Sequence, residues 1–372
     1  MKTPASSTFS STSDCACDSA KNPAQNLASY KQAIADFEAF LQAKNPSSIF
    51  DTKERKKHSI LQNSTPKNSS HKDSSPKNST SPNSTSQDST SHHSTSHDSS
   101  PSFLPPDFHP HFLLAFWEML LNGGKRFRPN LLLAVVDGLN PILNKNAFLP
   151  ALALECLHTY SLIHDDLPSM DNAPLRRGHP TLHTSYDETT AILVGDGLNT
   201  YAFYLLSECV LPPSVAISLV REMSKNGGLE GMIIGQALDC HYENQKLSLE
   251  KLQTIHIHKT AKLIATSLKM GAIIANAPSE LIAKLESYGL ELGLFFQVRD
   301  DIIDAVQDST QAGKTTQNDS TKNSYVNLLG LNGARQHLDK LRNKLESSLD
   351  SFPKGIQKNL RFLLAEFFKE IK

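Results

Sequence analysis

The sequence is short of the features that mark membrane, secreted and nucleic-acid-binding proteins. It has no window with the roughly 18 apolar residues that a membrane-spanning helix needs, so no membrane span is predicted. The net charge of −1 over 372 residues gives no electrostatic reason to expect nucleic acid as a partner. The five cysteines show neither zinc spacing nor disulfide density, and the N-terminus has no apolar signal-peptide core. We therefore expect a cytoplasmic protein.

Composition divides the chain into a polar N-terminus, a single helix, a low-complexity insertion and a long helical region. Residues 1–26 are Ser/Thr-rich and are predicted to be disordered. Apolar residues at helical spacing over 27–44 predict one amphipathic helix, the first of the folded domain. Over 105–372 the apolar pattern is helical throughout, with Gly or Pro between most runs and no strand-like alternation. The predicted fold class is therefore all-α, with a substantial core.

The insertion occupies residues 45–104. From Asn63 it repeats with a period of five, as Asn/Asp-Ser-Thr/Ser-x-x, in units such as NSTPK, NSSHK and DSTSH. The repeat contains no aliphatic residue, so it cannot offset the entropy cost of ordering. We predict a disordered spacer. A metal-binding role for its histidines and a scaffold role are the alternatives, although binding would be weak without aromatic or aliphatic anchors.

Two aspartate clusters lie in the C-terminal parts of predicted helices. The second cluster, in LFFQVRDDIIDAV, contains Asp300, Asp301 and Asp304. Asp300 and Asp304 are four residues apart and share a helix face, with Gln297 one turn earlier. Like charges at this spacing destabilise a helix, and the helix dipole disfavours anions there. The cluster is either a solvated acidic face or a site for a hard divalent cation, which favours oxygen ligands.

The first cluster, in HDDLPSMD, contains Asp165, Asp166 and Asp171. His158 lies two turns before Asp165 on the same helix face. On an ideal helix, Asp165 and Asp171 would lie on different faces. Pro168 should end or bend the helix, which allows both carboxylates to share a cation. Two such clusters, spaced DDxxxxD and DDxxD, favour a metal site over two solvated faces.

Basic residues at several points suit an anionic ligand held by such a metal. Because Mg²⁺ takes one or two carboxylates together with phosphate oxygens, diphosphate is the expected ligand. GGKRFRP (123–129) supplies Lys125, Arg126 and Arg128 behind two glycines and before a helix predicted to begin at Pro129. Singly, each cation is more often a solvated surface group. Further candidates for phosphate contacts are Arg176, Arg177, Lys259 and Lys314.

The ordered motifs of the chain resemble those of the polyprenyl synthetases, the trans-isoprenyl diphosphate synthases, and most closely the bacterial type of farnesyl diphosphate synthase. The motifs are GGKRFRP, ECLHTYSLIHDDLPSMD, LRRGHPTLH, GDGL, GMIIGQALD, HKT, FFQVRDDIID and GK. The resemblance covers residues 27–44 and 105–372. It implies the isoprenoid synthase fold, a bundle of mostly antiparallel helices around a central cavity, in a homodimer. It also implies a magnesium-dependent prenyltransferase that joins isopentenyl diphosphate to an allylic diphosphate (dimethylallyl or geranyl), giving (2E,6E)-farnesyl diphosphate and diphosphate.

The same resemblance implies roles for individual residues. Up to three Mg²⁺ ions, with Mn²⁺ as a substitute, bind Asp165, Asp166, Asp171, Asp300, Asp301 and Asp304. The allylic diphosphate contacts Arg176, Lys259, Gln297 and Lys314, with Lys322 as a weaker match because the loop before it is shorter. Isopentenyl diphosphate contacts Gly124, Lys125, Arg128, His158 and Arg177. Thr260 and Gln297 help to stabilise a carbocation. The implied catalytic set is Asp165, Asp166, Asp171, Arg176, Lys259, Thr260, Gln297 and Asp300.

Tyr160, five residues before Asp165, is predicted to close the cavity floor at the farnesyl length, as a bulky aromatic there does in the family; otherwise it is simply a core residue. Two features depart from the family pattern. Asn172-Ala173-Pro174 stands where the family usually has acidic residues, which predicts altered metal affinity or loop closure. The repeat insertion is the second departure, at a loop that tolerates length at modest entropic cost.

Several alternative functions stay open at this point. A geranylgeranyl diphosphate synthase would differ only in product length. A one-substrate terpene cyclase also uses metal-binding aspartates, but GGKRFRP and the Arg176-Arg177 pair favour a second diphosphate. A non-catalytic partner subunit of a prenyl synthase typically lacks one aspartate motif, whereas this chain keeps both.

Overall fold

The structure is a computed structural model, and it describes residues 23–44, 110–122, 124–243, 245–306 and 323–368. The predicted insertion, nearly all of the predicted N-terminal segment, and Lys314 and Lys322 therefore lie outside the described residues. The elements, in chain order, are α1 (Pro23–Ala43), α2 (Pro110–Leu121), α3 (Phe127–Leu139), α4 (Phe148–Asp165), β1 (Leu175–Arg176), β2 (His179–Pro180), α5 (Leu182–Ser185), α6 (Glu188–Ser207), α7 (Pro213–Gly227), α8 (Met232–His241), α9 (Leu249–His256), α10 (Lys262–Ile274), α11 (Ser279–Val306), α12 (Tyr325–Leu349) and α13 (Lys354–Phe367).

The all-α prediction is confirmed, with small corrections. Helix α1 begins at Pro23, four residues before the predicted start, and α3 begins at Phe127 rather than at Pro129. A single π turn (Ile257–Ala261) separates α9 from α10, within the region that was predicted to be helical throughout. The short strands β1 and β2 pair antiparallel and were not predicted. No helix in these described ranges is long and apolar enough to cross a bilayer.

Helix α3 lies at the centre of the core. Six consecutive side chains, from Leu131 to Val136, are completely buried, and a helix that is apolar on all sides is expected to be enclosed. Helices α1, α10 and α13 pack around it. On α1, the predicted apolar stripe supplies Tyr30, Phe37 and Leu41 to this core. The N-terminal helix is therefore an integral part of the folded domain.

Helices α4 and α11 position the acidic clusters. Helix α4 packs chiefly against α6, and α11 packs against α10 and α12. Helix α4 is buried on nearly every side, including Ala151, Leu152, Ala153 and Leu154, so its direction is set by the core. The first aspartate cluster begins at the last residue of α4, and the second lies in the C-terminal part of α11. Buried apolar surface stabilises these two helices and thereby determines where the carboxylates point.

Candidate active site

The two aspartate clusters face one cavity of about 950 Å³. Asp165 and Asp171 line it from the end of α4 and the turns that follow, and Asp300, Asp301 and Asp304 line it from α11. The same cavity is lined by five predicted phosphate-binding side chains, which are Arg128, His158, Arg176, Arg177 and Lys259. Thr260, Gln297 and Tyr160 also line it. The structure therefore brings together most of the residues that were singled out from the sequence.

A chain reversal after α4 places Asp171 beside Asp165. The helix ends at Asp165, and the backbone N–H of Asp171 donates to the carbonyl oxygen of Asp165 at 2.9 Å. Asn172 has a positive φ of 47°, and its N–H donates to the Leu167 carbonyl at 3.0 Å. Asparagine accepts this left-handed conformation more readily than most residues. The helix end predicted near Pro168 therefore does bring the two carboxylates together.

Asp166 has a different environment from its neighbours. It is 1% exposed and accepts hydrogen bonds from Nε and Nη2 of Arg176, the first at 2.8 Å. This two-point contact fixes the plane of the guanidinium, which lines the cavity. The second oxygen, Oδ2, is buried and has no hydrogen-bond partner in the described structure. The side chain thus orients Arg176 and does not itself line the cavity.

The carboxylates that line the cavity need positive charge nearby, because burial disfavours their charged form. Burial raises the pKa of Asp165 to about 6, an effect that Lys259 opposes and Asp171 reinforces. Burial also raises the pKa of Asp166, against the lowering effect of Arg176. Carboxylate oxygens of this kind suit Mg²⁺. No three His, Cys, Asp or Glu side chains within the described ranges lie close enough to hold a metal by themselves. The donor set therefore fits magnesium when phosphate oxygens of a ligand complete the coordination.

One group of basic side chains lies around the GGKRFRP turn. Gly124 has a φ of 93°, a conformation that favours glycine, and it lies close to the guanidinium group of Arg177. Burial lowers the pKa of His158 well below its usual value, and the charges of Arg128 and Arg177 lower it further. Its imidazole is therefore neutral. Lys125 is exposed and does not line the cavity; its Nζ lies 5.8 Å from the centre of the Phe367 ring.

The second basic group is at the π turn. Lys259 Nζ donates to Asp239 Oδ2 at 2.6 Å, and the Thr260 hydroxyl donates to Gln297 Oε1 at 2.6 Å. The turn lies directly against α8, as shown by Gly235: a Cβ added there would be only 2.1 Å from the backbone nitrogen of Lys259. A π turn often marks a functional position in a helix. This one directs two adjacent side chains, Lys259 and Thr260, to the cavity.

Tyr160 forms part of the cavity wall one turn before Asp165. It is 6% exposed, and its ring packs edge-to-face with His164 at 5.8 Å between centroids. Met232, Ile233 and Phe296 line the same cavity and give it the apolar surface that a hydrocarbon chain requires. The ring of Tyr160 is therefore both a packed side chain and a boundary of the cavity.

Sequence reasoning missed two carboxylates that support this site. Asp239 binds Lys259, and Glu155 binds Arg126 at 3.1 Å. Both had a signal in the sequence. Asp239 lies three residues after Gln236 in the motif GMIIGQALD, so both share a helix face. Glu155 is the one charged residue in the apolar run FLPALALECL, where an unpaired charge would be costly.

Three comparisons with known proteins bear on this site. Residues 110–357 match the family model described as Polyprenyl synthetase. The chain is 46% identical over 222 residues to farnesyl diphosphate synthase from Geobacillus stearothermophilus, covering 58% of this chain and 74% of that one. It is 42% identical over 240 residues to a chloroplastic geranylgeranyl pyrophosphate synthase from Capsicum annuum, covering 63% and 64% respectively. A crystal structure of Helicobacter pylori geranyltransferase complexed with magnesium and isoprenyl diphosphate aligns with a TM-score of 0.73 and 43% identity, over 94% of this chain and 99% of that chain.

Proposed function

The chain belongs to the polyprenyl synthetase family, and we propose that it is a prenyltransferase that condenses isopentenyl diphosphate with dimethylallyl or geranyl diphosphate to give farnesyl diphosphate and diphosphate. The observation that carries the proposal is the cavity itself. Two carboxylate clusters and two separate basic groups line the same space. That arrangement suits two diphosphates, one of them held through a divalent cation.

The allylic diphosphate is assigned to the acidic half of the cavity. Bound Mg²⁺, or Mn²⁺ in its place, would be held by Asp165, Asp171, Asp300 and Asp304 and would supply charge that offsets the developing negative charge of the leaving group. Arg176 and Lys259 add positive charge from the protein. Both are already oriented, by Asp166 and Asp239 respectively. Preorganised charge of this kind costs no rearrangement during the reaction.

The allylic cation is assigned to the space beside Thr260 and Gln297. Because the Thr260 hydroxyl donates its hydrogen to Gln297, its oxygen lone pairs remain for a positive centre. The double bond of isopentenyl diphosphate then attacks that centre, and a proton is lost to the released diphosphate, so no protein base is required. The apolar wall at Met232, Ile233 and Phe296 excludes water that would quench the cation.

Isopentenyl diphosphate is assigned to the half of the cavity formed by Arg128, His158 and Arg177. Two guanidinium groups supply the charge, and each can make two parallel hydrogen bonds to phosphate oxygens. A neutral His158 can donate one hydrogen bond and accept another. Lys125 and Gly124 lie in the adjoining turn, and Lys314 and Lys322 remain proposed allylic-side contacts outside the described residues. The absence of a carboxylate pair among the described residues of this half fits a diphosphate bound without metal.

A homodimer is proposed on the surface of α6. Ile192, Leu193 and Tyr204, all on α6, are 42%, 51% and 50% exposed, and exposed apolar side chains on one element favour a protein interface. A cytoplasmic location is proposed as well, consistent with the free thiols of Cys156, Cys209 and Cys240. Light scattering and cell fractionation test these two proposals.

The decisive experiment is a product assay. Purified protein is incubated with labelled isopentenyl diphosphate, dimethylallyl diphosphate and Mg²⁺, with an EDTA control, and the products are sized. A metal-dependent farnesyl product supports the proposal. A product one prenyl unit longer would make the chain a geranylgeranyl diphosphate synthase, the second candidate, which the 42% identity to the Capsicum annuum enzyme favours. No product from either starter would favour a non-catalytic partner subunit.

A further inference from the structure

The GGKRFRP turn holds a residue in an unfavourable backbone conformation. Arg126 has φ 49° and ψ 40°, the left-handed region, although it is not glycine. It directly precedes α3, and no side chain caps that helix there. A non-glycine residue in this region is strained, and the conformation persists when surrounding contacts hold it. The contacts of Arg126 therefore determine the shape of the turn.

Two carboxylates hold the Arg126 side chain. Nη1 lies 3.1 Å from Glu155 Oε1, and the two side chains are only 4% and 2% exposed. Nε lies 3.4 Å from Oε1 of Glu38, which is on α1 and 40% exposed. Burying a charged pair is expensive unless the geometry is specific, so a buried pair is weak evidence for added stability. The buried member, Glu155, belongs to α4.

Glu155 lies close to the turn and interacts with the basic side chains that line this part of the cavity. His158 follows it by one helical turn on α4 and lines the cavity with Arg128 and Arg177. Burial lowers the pKa of Arg128 to about 10, and Glu155 opposes this effect. Burial also lowers the pKa of Arg177, and Glu155 again opposes it. Glu155 thus contacts Arg126 directly and interacts electrostatically with Arg128 and Arg177.

We propose that Glu155 is a positioning residue for isopentenyl diphosphate: through Arg126 it holds residues 124–128 in the shape that presents Arg128 to the cavity. The assignment of this half of the cavity rests on the proposed function. Glu155 does not line the cavity and touches no substrate in this scheme. Its effect is on the substrate that binds beside the turn, and the allylic diphosphate, which is assigned to the acidic half of the cavity, is unaffected.

The sign of one substitution separates positioning from simple electrostatics. Glu155→Gln removes a negative charge near an anion site, so electrostatics alone would tighten isopentenyl diphosphate binding. Positioning requires the reverse, because a neutral amide holds Arg126 less firmly than a carboxylate does. We expect the dissociation constant of isopentenyl diphosphate to rise about tenfold or more. That of geranyl S-thiolodiphosphate with Mg²⁺ should stay within about twofold of the wild-type value.

Two further variants test whether weaker binding results from a general loss of folding. Glu155→Leu combined with Arg126→Met replaces the buried pair by apolar groups and should recover thermal stability, while isopentenyl diphosphate still binds weakly because the turn has lost its tether. Glu222→Gln breaks a partly buried pair with Lys269, 2.9 Å long, whose members do not line the cavity. It should change neither dissociation constant. Calorimetric titrations of full-length protein and thermal melts give these values.

The outcomes distinguish the positioning role of Glu155 from the proposed function of the protein. Tighter binding in Glu155→Gln, an equal loss for both ligands, or recovery of isopentenyl diphosphate binding in the apolar double variant would each overturn the positioning role. Selective weakening that persists in the double variant supports it. Wild-type protein that binds both ligands but forms no product would defeat the proposed function, while the same titrations would still decide the role of Glu155.

Discussion

Asp239 Oδ2 lies 2.6 Å from Lys259 Nζ, and this contact holds the ammonium group of Lys259 beside the acidic side chains of the cavity. Burial lowers the pKa of Lys259, but the carboxylates of Asp239 and Asp165 together raise it by more, so the pKa lies above its usual value. Lys259 lines the cavity, whereas Asp239 does not. Asp239 therefore acts on the ligand site through the lysine, just as Asp166 acts through Arg176.

The first prediction concerns this pair. Asp239→Asn should free the lysine ammonium to swing toward Asp165, because Asp165 is its second attractive partner. The value of kcat/KM for the allylic diphosphate should then fall about 10- to 100-fold, as for other residues that orient a ligand-binding group, with little change in KM for isopentenyl diphosphate. Steady-state kinetics with each substrate varied in turn measure this. Glu243→Gln, an exposed carboxylate just beyond the same helix, is the control. A matching rise in both KM values would refute the orienting role.

The second prediction separates Asp300 from Asp301. One oxygen of Asp301 accepts a hydrogen bond from the backbone N–H of Tyr325 at 2.7 Å, which ties α11 to the start of α12. Asp301→Asn keeps an acceptor oxygen for this bond, so kcat should fall less than about tenfold. Asp300→Asn removes a proposed metal-binding carboxylate, and kcat should fall about 100-fold or more. Turnover at saturating substrate, over a range of Mg²⁺ concentrations, checks both. Equal losses would show that Asp301 serves the metal as directly as Asp300.

Most of the fold could be predicted because buried stripes and Gly or Pro punctuation are local signals. Helices α1 and α3 begin four and two residues before their predicted starts, and α2 to α13 all lie in the region predicted to be helical. The π turn and the β1–β2 hairpin could not be predicted, because tertiary contacts create them. The π turn depends on close contact with Gly235, and the hairpin has only two residues in each strand. Neither leaves a periodic pattern in the sequence.

The site was predictable where charge clusters stood out and not where one carboxylate supported another group. Asp165, Asp171, Asp300 and Asp304 were conspicuous because repulsion makes such clusters unfavourable without a ligand. Asp239 and Glu155 were not, since a single acidic residue in a helix is usually solvated. Their roles follow only from distances to Lys259 and Arg126. Asp166 was grouped with its neighbours by sequence and separated from them by its contact with Arg176.

The third prediction concerns stability at acidic pH. His256 is 5% exposed, and burial lowers its pKa to about 4, an effect that Lys259 reinforces and Asp239 opposes. In the unfolded chain, His256 takes up a proton near the ordinary pKa of histidine. Its contribution to the stability of the native state is therefore fully present only above that pH. This stability is lost as the pH falls from about 6.5 to about 4, by up to about 3 kcal/mol.

Urea unfolding at several pH values measures this effect. His256→Gln should be less stable than wild type at neutral pH and should lose less stability on acidification. The exposed His179 supplies the matched control, since His179→Gln should leave the pH dependence as in the wild type. Parallel curves for wild type and His256→Gln would show that the acid sensitivity arises from other groups.

The fourth prediction concerns product length. Tyr160→Ser removes an aromatic ring that bounds the cavity beside His164, so the growing chain gains room at that wall. The main product should change from farnesyl diphosphate to one at least one prenyl unit longer. Substitution of a buried aromatic residue costs about 3 kcal/mol, so a thermal melt must accompany the assay. Chromatography of the dephosphorylated products gives the chain length.

Tyr160→Phe separates the ring from its hydroxyl group. Burial, together with Asp165, raises the pKa of Tyr160 to about 12, so the hydroxyl stays protonated under assay conditions and adds no charge to the cavity. If the ring alone limits the chain, the Phe variant keeps the farnesyl product while the Ser variant extends it. If both variants keep the wild-type product, another wall residue ends the chain and Tyr160 is a core residue. If both extend it, the hydroxyl group matters more than the volume of the ring.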